Sequence, residues 1–187
     1  MTAGTVLKTK GGVTLRVRAA NAGDEPVLAE FFSHVAPDDL RFRFLSGLAQ
    51  VRHEQLVAML SVDHKAAETF FAFDEESGTL AAVAMLAGDS DLDTGEVAIS
   101  VRADYKHKGV AWCLLEHLAR FAAGIGFRAL VSIESRDNRE AIELEREMGF
   151  SVKEYPGDPT LVMVRRELDP GEVVRANSHQ DLPASAR

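Results

Sequence analysis

Apolar and polar positions change period several times along this chain, and each change marks an element. Val13, Leu15 and Val17 alternate with Thr14, Arg16 and Arg18 behind Gly11-Gly12, the period-2 pattern of a half-buried strand. A helix start follows near Asn21 to Asp24, placing Val27, Leu28, Phe31 and Phe32 on one face. The stretch "APDDLRFRFLSG" predicts a second helix, with Pro37 in its first turn, Asp38 and Asp39 at its positive end and Gly47 as its stop. A third helix is expected over Glu54 to Leu60. In "ETFFAFDEESGTLAAVAMLAG" two apolar runs flank a polar turn from Asp74 to Gly78, which reads as a hairpin. The next strand, Glu96 to Val101, sends Val97, Ile99 and Val101 to one face and Glu96, Ala98 and Ser100 to the other.

From Gly109 the period becomes helical. Val110, Cys113, Leu114, His117, Leu118 and Phe121 form one stripe, closed by Gly124 and Gly126. "RALVSIES" is a strand. "DNREAIELEREMGF" is a helix with Ala141, Ile142, Leu144 and Met148 inward and Gly149 as its stop. Strands around Phe150 to Tyr155 and Leu161 to Glu167, separated by the turn "PGDP", finish the domain. The chain therefore reads as one domain over residues 1–167. A polar tail over 168–187 has no periodicity, and is expected to be flexible or an edge-packing segment. The unit from Glu96 to Ser135 should be parallel and right-handed, and the hairpin before it antiparallel. The expected fold class is α/β: a mixed sheet with helices on both faces.

Composition narrows the function. A net charge of -8 and a pI near 5.3 argue against general nucleic-acid binding. The longest apolar run, Leu80 to Ala87, is far short of the roughly 20 residues that span a bilayer, and the N-terminus lacks the apolar core of a signal peptide. One cysteine, Cys113, excludes an intrachain disulfide and reads as a buried, inert thiol. These features lead to the expectation of a cytoplasmic protein that binds neither membrane nor nucleic acid. The histidines at 34, 53 and 64 lack metal-ligand spacing, so no metal is expected. His117, on an apolar stripe, reads as a satisfied core histidine.

Against this acidic background, Lys106-His107-Lys108 stands directly before Gly109 and a helix. A helix N-terminus offers unpaired N–H groups and roughly half a positive charge, which suits a phosphate. "GEVAISVRADYKHKGVAWCLLEHLARFAAGIGFRAL" resembles the acetyl-CoA-binding core of the GCN5-related N-acetyltransferases, with Lys106-x-x-Gly109-x-Ala111 in place of Gln/Arg-x-x-Gly-x-Gly/Ala. "DNREAIELEREMGF" resembles that family's second signature. Together they cover roughly Gly95 to Phe150. A narrower resemblance, over "GGVTLRVRAANAGDEPVLAEFFSHVAPDDLRFRFLSGL", is to the acetyltransferase module of bacterial protein lysine acetyltransferases that act on acyl-CoA synthetases.

The resemblance implies a mostly antiparallel sheet with one splayed parallel pair, and acetyl-CoA as donor substrate. It implies that His107 to Trp112 (His107, Lys108, Gly109, Val110, Ala111 and Trp112) wrap the pyrophosphate, with Lys106 and Lys108 adding charge. Ile99 and Val101 would meet the pantetheine arm and Asn138 the cofactor; Asn138 also reads as a plain helix N-cap, and both can hold together. Glu96 would be the general base that deprotonates an amine, whose pKa is about 10.4 for lysine. Glu68, Asp63 and Glu134 are fallback bases. The position where family members carry a general-acid tyrosine is Glu145, so that acid is absent and the thiolate would leave unaided or take a proton from water. The preferred acceptor is a protein lysine, the alternatives a small amine or a non-catalytic acetyl-CoA sensor, in a monomer or homodimer. Arg41 and Arg43, interleaved with Phe42 and Phe44, are either a docking surface for an acidic partner or the solvated face of an amphipathic helix.

Overall fold

The computed structural model describes residues 4–45, 50–88, 91 and 93–169. Its eight strands are β1 (Thr5–Lys8), β2 (Thr14–Ala19), β3 (Ala67–Asp74), β4 (Leu80–Gly88), β5 (Thr94–Val101), β6 (Ala129–Ser135), β7 (Ser151–Glu154) and β8 (Leu161–Glu167). They form one sheet in the order β1-β2-β3-β4-β5-β6-β8-β7. All pairs are antiparallel except β5 with β6. The helices are α1 (Glu25–Phe32), α2 (Pro37–Phe44), α3 (His53–Leu60), α4 (Val110–Ile125) and α5 (Arg139–Glu147).

Strand alternation feeds two cores. On β3, Phe70 and Ala72 point to the core shared with Leu114 and Leu118 of α4 and Ile142 of α5. Phe71 and Phe73 point the other way, toward Leu28 and Phe31 of α1, Leu40 of α2 and Leu56 of α3. Helices thus cover both faces, as the alternating and helical periods require.

Several expectations are corrected. β1 was not anticipated. Its Val6 is 45% exposed and only Leu7 is buried, so a four-residue edge strand leaves little apolar signal. Val27 is 37% exposed and stands off the α1 core face formed by Leu28, Phe31 and Phe32. The α4 stripe is rotated: Leu115, Ala119 and Ala122 are buried with Val110, Leu114 and Leu118, while Cys113, His117 and Phe121 form its partly exposed margin. Gly124 lies within α4, and Gly126, at φ 106°, ends it. The expected stop at Gly47, and the tail from residue 170 on, lie outside the described residues.

The parallel pair positions the site. β5 and β6 are in register only at Thr94↔Ala129, Gly95↔Leu130 and Glu96↔Val131. Beyond that point β5 stays with β4 and β6 with β8, so the two strands diverge. Their facing backbone groups have no strand partner across the opening, a condition that buried strands otherwise avoid.

Candidate active site

The opening between β5 and β6 continues into a cleft of ≈ 690 Å³ that runs past the start of α4. Glu96, Ile99, Val101, Lys106, His107, Gly109, Val110, Ala111, Trp112 and Asn138 all line it. Residues separated by as many as 42 positions are therefore brought to one surface.

The α4 end is built by backbone conformation. A 3-10 turn, Ala103–Tyr105, leads into the loop, and Gly109 is the N-cap of α4 at φ 76° with no side-chain cap bond. The first N–H groups of a 16-residue helix are thus left for a ligand. Gly109 is required at this left-handed position, which a β-branched residue adopts only with strain. His107 is also left-handed, at φ 60°, a conformation that costs an L-residue roughly 1–2 kcal/mol. Gly11, in the β1–β2 turn, lies under the loop: a Cβ there would come within 2.6 Å of the Lys108 carbonyl oxygen and 2.8 Å of its Cα.

The cations are arranged differently from the expectation. Lys106 lines the cleft, but its ammonium donates to both Asp39 oxygens at 3.0 Å and lies 3.7 Å from Glu140, tying α2 to α5 across the opening. Lys108 does not line the cleft; its Nζ sits 5.0 Å from the centre of the Tyr105 ring. Lys10, from the β1–β2 turn, does line it, with Nζ 4.9 Å from the Trp112 ring. Sequence distance concealed Lys10: only the β1–β2 hairpin carries it there.

The opposite end is built by side chains from four elements. Glu96 comes from the point on β5 where pairing with β6 stops. Glu134, on β6, accepts from Asn138 Nδ2 at 2.7 Å. Burial raises its pKa to about 7, opposed by Asn138 and by the charge of Arg43. Arg43 reaches the cleft from α2, donates from Nη2 to Met85 Sδ at 3.0 Å and lies within electrostatic reach of Glu96 and Glu134. Burial lowers its pKa against the pull of those two carboxylates. Arg43 therefore belongs to the cleft, whereas Arg41 stays exposed and stacks on Phe42, 4.7 Å from the ring centre. Glu145, on α5, also lines the cleft, is buried and accepts from Ser132.

Four other side chains, Asn138, His117, Glu68 and Asp63, depart from expectation. Asn138 makes no side-chain cap bond; its amide is committed to Glu134. His117 is a core histidine, edge-on to Phe70 at 5.0 Å between ring centres, but its buried Nε2 has no partner among the described residues, and burial lowers its pKa to about 4. Glu68 and Asp63 lie off the cleft. Glu68 pairs with His64, while Asp63 Oδ1 accepts from the N–H groups of Lys65, Ala66 and Ala67. Cys113 donates to the Lys8 carbonyl at 3.5 Å, and burial pushes its thiol pKa up, the condition of an inert cysteine.

The helical signal contained clues to two of the missed groups. Glu145 sits three residues after Ile142 and four after Ala141, on the apolar face of α5. Arg43 sits three after the buried Leu40. A charged residue in a core-facing register is a candidate for burial.

Among the described residues, no helix is long and apolar enough to cross a membrane, and no group of three or more His, Cys, Asp or Glu is placed to hold a metal ion.

Known proteins share this fold. The GNAT domain of S. lividans PAT superposes with a TM-score of 0.81 at 21% identity, covering 88% of this chain and 97% of that one. A GNAT-family acetyltransferase from Streptococcus pneumoniae gives 0.66 at 21% identity, over 83% and 99% of the two chains. Spermidine N-acetyltransferase from Vibrio cholerae, solved with CoA and spermine, gives 0.66 at 15% identity, over 86% and 98%. Residues 30–150 match the model of the acetyltransferase (GNAT) family. That match spans both the strand–loop–helix unit with its free N-terminus and α5 with Asn138, and the chain belongs to the acetyltransferase (GNAT) family of acyl-CoA-dependent N-acyltransferases.

Proposed function

We propose that this enzyme transfers the acetyl group of acetyl-CoA to a protein lysine by direct attack of the amine in a ternary complex, with Glu96 as general base. The observation that carries the reading is the continuity of one cleft from the bare N-terminus of α4, through the β5–β6 opening, to the carboxylates of Glu96 and Glu134. The α4 N–H groups and Lys10 suit the pyrophosphate. The unpaired edges of β5 and β6, around Ile99 and Val101, suit the amides of the pantetheine arm and the thioester carbonyl.

A lysine amine arrives protonated, and the carboxylate end of the cleft attracts the ammonium. Glu96, directly or through a water, takes its proton; the neutral nitrogen then attacks the carbonyl carbon. Glu134 lies in the same cleft and is the second candidate for that role. The resemblance to lysine acetyltransferase modules favours a protein lysine. A polyamine is the alternative acceptor, which the same carboxylates would suit.

Calorimetric titration with acetyl-CoA, free coenzyme A and ATP tests the donor site. Both CoA species should bind and ATP should not. Thiol release in the presence of a lysine peptide of an acyl-CoA synthetase, spermidine or a free amino acid then ranks the acceptors. Failure of both CoA species to bind would overturn the reading.

A further inference from the structure

Arg43 is the cation of the cleft that the reaction above leaves unused. Among the described residues, the lysines and arginines that line the cleft are Lys10, Lys106 and Arg43. Lys10 stands at the α4 end, against Trp112. Lys106 is neutralised by Asp39 and Glu140. Arg43 stands at the carboxylate end, where Glu96 and Glu134 act on it through space but form no ion pair with it.

The guanidinium is also short of acceptors. It presents five N–H donors in a planar fork. Among the described residues one of its nitrogens, Nη2, has an acceptor, and that is the thioether sulfur of Met85, a weak one. The Phe44 ring, with its centre 5.3 Å from the guanidinium carbon, supplies no oxygen. Burial of such a charge is costly unless hydrogen bonds replace the lost water. A carboxylate laid against the fork supplies two at once. It breaks no ion pair in doing so, whereas at Lys106 it would displace Asp39.

The fork is held in place before any ligand arrives. Asp39 and Arg43 are four residues apart on α2, so they share one helix face, and both line the cleft. The bond from Lys106 to Asp39 anchors that face one turn from Arg43.

This end of the cleft therefore shows both signs of charge to an acceptor. Glu96 and Glu134 attract its ammonium, and the free fork attracts an anion. A polyamine brings only cations, which Arg43 repels. Resting on the acyl-transfer reading above, we propose that Arg43 determines acceptor specificity by binding a carboxylate of the acceptor, which for a protein lysine is an Asp or Glu side chain beside the target lysine. The α-carboxylate of a free amino acid has the same chemistry, and the experiment separates the two sources.

The test uses the full chain as wild type, Arg43→Gln and Arg43→Lys, with acetyl-CoA as donor. The acceptors are end-capped peptides with one lysine flanked by Glu or by Gln, free lysine and its amide, and spermidine. Thiol release gives kcat/KM for each. In wild type the Glu peptide should exceed the Gln peptide by about 10- to 100-fold, the scale of a charge-assisted pair of hydrogen bonds, and spermidine should be the poorer acceptor. In Arg43→Gln the ratio of the two peptides should fall to within about two-fold of one. Arg43→Lys, which keeps the charge but not the fork, should fall between. An effect of Arg43 on the neighbouring carboxylates changes both peptides alike and cancels in the ratio.

If the peptides are equal while free lysine exceeds its amide by about ten-fold or more, and Arg43→Gln removes that difference, the carboxylate site stands with an amino acid as its source and the protein-lysine reading falls. The absence of an Arg43-dependent preference in both pairs overturns the proposal, while an active wild type keeps the acyl-transfer reading. If Arg43→Gln fails to fold, the wild-type ratios and Arg43→Lys decide. A wild type that acetylates no amine overturns both.

Discussion

The two ends of the cleft are built by opposite means. At the α4 end the useful groups are backbone N–H groups, exposed because Gly109 turns the chain at φ 76° and no side chain caps the helix. At the carboxylate end they are side chains from β5, β6, α2 and α5, and burial shifts the titration of Arg43, Glu134 and Glu145. A backbone site tolerates many side chains but few changes of dihedral angle. A side-chain site tolerates small backbone shifts but not the loss of one titrating group. The departures from the family pattern fit this contrast: Lys106 and His107 replace other residues in the loop without removing a backbone N–H.

Two substitutions should separate the ends most sharply. Glu96→Gln should lower kcat by about 10²–10⁴-fold, the usual range for a general base, with the acetyl-CoA Kd nearly unchanged. Gly109→Val should do the reverse. It forces a β-branched residue into a left-handed conformation and should raise the Kd by about ten-fold or more, which corresponds to the strain of roughly 1–2 kcal/mol expected there. Steady-state kinetics alongside calorimetry reads both. Equal effects of the two variants on Kd would dissolve the distinction between the ends.

The carboxylate end should also leave a mark on stability against pH. Glu145 has a pKa of about 8 in the folded chain against an ordinary 4.5, so between those values the folded state keeps a proton that the unfolded state has released. Its contribution is complete below about 4.5 and is lost as pH rises to about 8, with a slope of at most about 1.4 kcal/mol per pH unit. Denaturant melts should therefore show Glu145→Gln gaining relative to wild type as pH rises through this window. His117 has the opposite sign. Its pKa of about 4, against 6.5, makes the unfolded state bind the extra proton, so stability falls as pH drops from 6.5 to 4. His117→Phe should remove that loss, and an unchanged acid melt would show that the buried Nε2 is solvated.

Gly11→Ala should have a smaller effect, because the β1–β2 turn can shift to relieve contact with the Lys108 backbone. A Kd increase of about three-fold, with kcat unchanged, is expected from a loss on the order of 0.6 kcal/mol. His107→Gly should change least. Relief of the left-handed strain is offset by the greater unfolded-state freedom of glycine, leaving less than about 1 kcal/mol in thermal or chemical melts.

Much of the fold was legible because local periodicity and sheet burial agree. The alternation in β2, the hairpin of β3 and β4 and the stripe of α4 each state a face, and the cores use those faces. β1 was not legible, since an edge strand with one buried residue carries too little pattern. Rotation of the α4 stripe toward Leu115, Ala119 and Ala122 was missed because alanine and leucine satisfy several helical registers equally well. The pairing of Lys106 with Asp39, 67 positions away, could not be read locally. Nor could the approach of Arg43 to Glu96 and Glu134, which requires α2 and β6 to meet at the opening.

The sequence by itself determined most of the elements and the glycine turn before α4, because both depend on dihedral preferences and spacing within a few residues. Glycine before a helix, a period that changes from 2 to 3.6, and an asparagine opening α5 are all local facts. Only the tertiary structure decided which cations face the cleft, with Lys10 facing in, Lys108 turned away and Lys106 held by acids. It also decided that Glu145 lies buried beside Ser132. Charge on a side chain in water is set by its own chemistry. In the cleft it is set by desolvation and by neighbours brought from distant parts of the chain, which no local pattern records.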